Sequence, residues 1–125
     1  MRAKIAFITT LTLTVMTALP LTATAPYTAI IIDSGSPYFV PKSATVFTGA
    51  PIKWENPTPT EHTVTHTGCL EEGGICAFDS GIVMPNGSYV VPGLPPGQYP
   101  YICRVHPIMR GTIIVTDPTR LPSQL

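Results

Sequence analysis

Proline and glycine punctuate this chain too often for long helices. Fifteen prolines and ten glycines are spread through 125 residues. Proline lacks a backbone donor and clashes with the preceding helical turn, so it limits a chain to short elements. The runs left between these breaks favour strands: Tyr27–Ile32, Tyr38–Val40, Ala44–Thr48, Pro51–Asn56, His62–His66, Ser88–Val91, Tyr99–Cys103 and Thr112–Val115. Short β-favouring runs separated by turn residues predict an all-β sandwich. Pro41 belongs at an edge or bulge. Ile52 and Trp54 alternate with Lys53 and Glu55, which places Trp54 in the core. Asn56-Pro-Thr-Pro-Thr60 reads as a rigid loop and Gly68–Gly81 as a long one. On the strand at His62–His66, His62, Val64 and His66 share one face.

One stretch carries chemistry. Tyr99, Tyr101 and Cys103 fall on one face at period two and deliver the sulfur inward. A short loop follows with His106 and Met109 at three-residue spacing, and strand resumes after Gly111. Thiolate, imidazole and a weak thioether are the ligand set of a mononuclear electron-transfer copper once a second histidine is supplied. His62, about 40 residues upstream, is the expected second imidazole, and Met109 the long axial ligand. His66 lies about 13 Å from His62 along an extended strand, too far for the same ion. Met84 lacks the ligand-loop spacing and is expected to pack in the interior.

The pattern Gly97-Gln-Tyr99-Pro-Tyr101-Ile-Cys103, then Cys-x2-His-x2-Met, resembles the cupredoxin (type 1 blue copper) family, especially its amicyanin-like and plastocyanin-like members. The resemblance spans about Tyr38 to Val115. It implies a Greek-key β-sandwich and one copper ion, cycling between Cu(I) and Cu(II), on His62, Cys103, His106 and Met109. It further implies that Thr63 ties the His62 segment to the Cys103 loop by hydrogen bonding. It implies that His106, flanked by Pro107 and Ile108, forms the surface where redox partners dock. Arg104 and Arg110 flank that loop and could steer an acidic partner.

Residues 1–25 read as an export signal or an N-terminal membrane anchor. Arg2 and Lys4 precede an apolar run, and Ala23-Thr-Ala25 closes it with small residues. Pro26 sits badly for cleavage directly before it. The run is short for a full membrane span. The domain proper is expected at 26–116, with a loose tail at 117–125. Without Arg2 and Lys4 the chain carries five Lys and Arg against seven Asp and Glu, and no basic patch points to nucleic acid.

Three cysteines are an odd number for an exported protein. Cys69 and Cys76 enclose a flexible loop and should pair outside the cytoplasm, leaving Cys103 free for a metal. A second metal site on His66, Cys69 and Cys76 is the alternative. The expected protein is an extracytoplasmic one-electron carrier, monomeric, and not an enzyme. The competing readings are a copper-delivery protein without an electron-transfer role, and a structural sandwich whose His2Cys set takes zinc.

Overall fold

The computed structural model describes residues 2–20 and 27–119. Among these residues, eight strands form two four-stranded sheets. These are β1 (Thr28–Ile32), β2 (Phe39–Val40), β3 (Ser43–Phe47), β4 (Ile52–Glu55), β5 (Thr65–His66), β6 (Ser88–Val91), β7 (Gly97–Ile102) and β8 (Arg110–Thr116). One sheet runs β2-β1-β4-β6 and the other β3-β8-β7-β5. The pairs β1–β4 and β3–β8 are parallel; the other neighbours are antiparallel. Among the described residues there is one short 3₁₀ turn, Thr67–Leu70, and no α-helix.

Period-two patterning builds the core. Ile30 and Ile32 of β1 and Ile52 and Trp54 of β4 face Val46, Tyr101, Ile113 and Val115 of the opposite sheet. The outward residues of β4, Lys53 and Glu55, pair with each other at 3.0 Å. Trp54 contacts Tyr101 edge-on, with ring centroids 5.5 Å apart, and Phe78 covers both rings. Edge-to-face packing of this kind adds to the burial of large apolar area. Tyr101 stands directly opposite Gly111 in the β7–β8 ladder, and its ring lies where a side chain at 111 would be. Glycine at 111 is therefore a packing requirement. Burial holds the Tyr101 phenol far above its usual titration range.

Two expectations need correction. The segment His62–His66 is not a five-residue strand with alternating faces. Only Thr65–His66 is strand, and His62, Thr63, Val64 and Thr65 are all buried. The long loop explains this, because it returns across the segment. Val64 N donates to Ser80 Oγ at 2.7 Å, Ser80 N donates to Val64 O at 3.0 Å, and Thr65 bridges Asp79. Met84 is 55% exposed and does not fill the interior. The Arg104 guanidinium lies 3.4 Å from Asp79 and stays half exposed. Residues 2–20 form neither helix nor strand, and their apolar side chains are exposed. No helix among the described residues is long and apolar enough to cross a membrane. Part of the expected leader, at 1 and 21–25, the expected first domain residue, 26, and most of the expected tail, from residue 120 on, lie outside the described residues.

Candidate metal centre

The centre is built where β7 and β8 are joined. The pair Ile102–Arg110 closes the ladder, so residues 103–109 must turn the chain within one short loop. Two backbone bonds shape it: Met109 N donates to His106 O at 2.8 Å, and Cys103 N donates to Met109 O at 3.0 Å. Cys103 and Met109 are thereby held inward, at 0% and 2% exposure, while His106 stays at the surface. His62 arrives from the other side, locked by a two-bond bridge to Val83 at 3.2 and 2.8 Å.

The structure brings His62, Cys103 and His106 together, with their donor atoms all within 4.8 Å of one another. Cys103 Sγ lies 3.8 Å from His62 Nδ1 and 3.9 Å from His106 Nδ1. Trigonal bonds of ordinary metal–nitrogen and metal–sulfur length place such donors about 3.7 Å apart. Both sulfur–nitrogen separations are therefore close to what a single ion would need. Met109 lines a cavity of about 320 Å³ together with His62, His106, Ile108, Tyr38, Ser34 and Thr60. Two nitrogens and a thiolate, with a thioether beside them, are a copper donor set. His62, Cys103, His106 and Met109 form a candidate copper site.

The surroundings prepare His62 for this role. Asn56 is buried, and its Nδ2 donates to the carbonyls of Thr60, Val83 and Met84 at 2.8, 3.0 and 3.2 Å. That fixes Oδ1 as the acceptor facing Thr58, whose N and Oγ1 donate to it at 3.1 and 2.6 Å. With its hydrogen committed to Asn56, the Thr58 hydroxyl can only accept from His62 Nε2, 2.9 Å away. Thr60 Oγ1 is a second partner at 3.1 Å. The proton belongs on Nε2, which leaves the Nδ1 lone pair directed at the metal position. Burial, followed by the nearby His106, lowers the His62 pKa and keeps the ring neutral.

Thr63 binds the two halves of the site. Its N–H donates to Cys103 Sγ at 3.3 Å, and its Oγ1 accepts from Arg104 N at 2.8 Å. Cys69 and Cys76 form a disulfide, and His66 Nδ1 accepts from Ala77 N at 3.1 Å. Those three residues therefore form no second metal site. Sequence reasoning missed Asn56, Thr58 and Thr60 as supports. The usable signal was three hydrogen-bonding residues set between prolines directly before a ligand histidine.

Solved structures share this architecture. A purple cupredoxin from Nitrosopumilus maritimus aligns at TM-score 0.60 and 21% identity, over 71% of this chain and 99% of that one. The chain has a cupredoxin fold. An amicyanin variant in its Cu(I) form aligns at TM-score 0.60 and 20% identity, over 76% and 87% of the two chains. The copper-containing nitrite reductase of Thermus scotoductus aligns at TM-score 0.65 and 23% identity, over 82% of this chain and 25% of that one. No protein-family model matches the sequence, and no curated protein matches it. The likeness covers 99% of the purple cupredoxin and 87% of the amicyanin, but only 25% of the reductase.

Proposed function

We propose that this cupredoxin-fold protein is a one-electron carrier acting outside the cytoplasm. The observation that carries the proposal is the division of labour between the two histidines. His62 is buried with its tautomer set by Thr58, and His106 stands exposed beside the same sulfur. Copper bound there supplies a Cu(I)/Cu(II) couple. The residues do the rest. The Asn56–Thr58–His62 chain and the Thr63 bonds hold the donors without metal, which keeps reorganisation on electron transfer small. Thr63 N–H withdraws charge from the Cys103 sulfur and favours the reduced state.

His106 is the electron port, and its rim is apolar. Pro107 and Ile108 on one side, with Met84 and Val105 on the other, are all exposed. A small apolar rim suits a short-lived complex with a redox protein. The Cys69–Cys76 disulfide supports an oxidising compartment. Strand β1 starts at Thr28, beside Pro51, and its far end leads to Ser34, which lines the cavity at His62 and His106. The N-terminal segment thus enters the sandwich at the end opposite the copper site. Retained as an anchor, it would turn His106 away from the bilayer, towards soluble partners.

Voltammetry of the copper-loaded protein in the presence of a Cu(I) chelator tests the proposal. The expected result is one reversible one-electron wave per copper that persists during exposure to the chelator. Rapid transfer of copper to the chelator, with no reversible wave, would overturn it in favour of copper delivery.

A further inference from the structure

Asp79 lies outside the ligand set, in the loop that follows the disulfide, yet it stands at the end of a hydrogen-bonded chain that reaches Cys103. Its Oδ1 accepts from Thr65 Oγ1 at 3.0 Å and from Gly81 N at 3.2 Å. Thr65 Oγ1 lies 3.0 Å from Thr63 Oγ1, which accepts from Arg104 N at 2.8 Å. Thr63 N in turn donates to Cys103 Sγ at 3.3 Å.

The direction of every hydrogen in this chain follows from one charge. A carboxylate only accepts, and a threonine hydroxyl has one hydrogen to give. Thr65 must therefore donate to Asp79. That leaves Thr65 as the acceptor for the Thr63 hydroxyl, and Thr63 as the acceptor for the Arg104 N–H. Were the Thr63 hydrogen free to turn, it could face the Arg104 amide hydrogen instead of Thr65. Thr63 and Thr65 are 3% and 0% exposed, so water cannot take over these bonds. Bonds aligned in series also polarise one another. The contact of Asp79 with the Arg104 guanidinium is longer and solvent-facing, and contributes little.

We infer that Asp79 is a positioning residue for the metal centre. It sets the donor direction through Thr65 and Thr63, and so fastens the loop that carries Cys103 to the segment that carries His62. The inference deepens the copper reading above, but its first test needs no metal.

The test is amide hydrogen exchange in the metal-free full chain, comparing Asp79→Ala, Asp79→Asn and Thr65→Val with the parent. Arg104 is read against Ile113 in the core. Asp79→Ala and Thr65→Val are expected to speed Arg104 exchange about tenfold relative to Ile113, the effect of one weakened hydrogen bond. Asp79→Asn keeps an acceptor oxygen and is expected to stay within about threefold. Once copper is loaded, the sulfur-to-copper band should move in Asp79→Ala and return in Asp79→Asn. Unchanged Arg104 exchange in Asp79→Ala would overturn the inference, as would equal acceleration in Ala and Asn. Should Asp79→Ala not fold, Thr65→Val decides alone, and unchanged exchange there overturns the inference. Failure to bind copper would count against the function proposed above and leave the exchange result standing.

Discussion

Replacing Asn56 by alanine separates what holds the fold from what prepares the site. Asn56 makes five side-chain hydrogen bonds, but most partners would not be orphaned. Val83 O also accepts from His62 N and Met84 O from Gly87 N, and Thr60 is an exposed residue. The Thr58 N–H is left without its partner, in a residue only 6% exposed. One orphaned buried donor costs about 1–3 kcal/mol, and the net value of the other bonds adds about 1 kcal/mol. Asn56→Ala should therefore lose about 2–4 kcal/mol in denaturant unfolding of the metal-free protein. It also frees the Thr58 hydroxyl hydrogen, which can then donate to His62 Nε2 and favour the tautomer with Nδ1 protonated. Loss of such an outer partner typically weakens metal binding 10- to 100-fold. Nitrogen-15 shifts of the His62 ring report the tautomer, and competition with a copper chelator reports affinity. A stability change under about 0.5 kcal/mol with unchanged copper affinity would refute the reasoning, taking the bond count as its basis.

Other perturbations probe other parts of the molecule. Gly111→Ala places a methyl against the buried Tyr101 ring and should cost about 2–3 kcal/mol in denaturant unfolding; a neutral result would show that the ring has room to move. Cys69→Ser with Cys76→Ser opens a bridge between residues seven apart and should cost about 2.5 kcal/mol by loop entropy, with copper binding retained; lost copper binding would assign the loop a role at the metal. The pH response of the metal-free protein follows from His62, whose folded pKa lies below its ordinary 6.5. Its contribution to stability is fully present above pH 6.5 and is lost as pH falls through the folded pKa, because the unfolded chain takes up the proton first. Denaturant midpoints between pH 8 and 5 should decline below about 6.5, and His62→Gln should flatten the decline. An equal decline in both proteins would place the titration elsewhere.

The parts legible in the sequence were those governed by short-range periodicity. The alternation of Tyr99, Tyr101 and Cys103 gave the inward face of β7, and three-residue spacing brought His106 and Met109 into one loop with Cys103. What was not legible depends on chain returning from far away. The period-two reading of His62–His66 failed because residues 78–80 close over the segment and bury both of its faces. Asn56 reads as a turn residue until Val83 and Met84, 27 and 28 residues later, present their carbonyls to it. Met84 was read as packing because it lacks the ligand-loop spacing, yet it stands at the surface beside His106. The parallel pairings β1–β4 and β3–β8 likewise join strands that no local pattern connects. The thiolate loop was readable because its geometry is local, while its supports came from contacts between distant segments.

The most direct test of a type 1 copper centre is the visible spectrum of the purified protein titrated with Cu(II), beside Cys103→Ser. An intense thiolate-to-copper band that saturates at one equivalent, and is absent from the variant, is the predicted result. A colourless or weakly coloured protein, with zinc excluded and the Cys69–Cys76 disulfide intact, would contradict it.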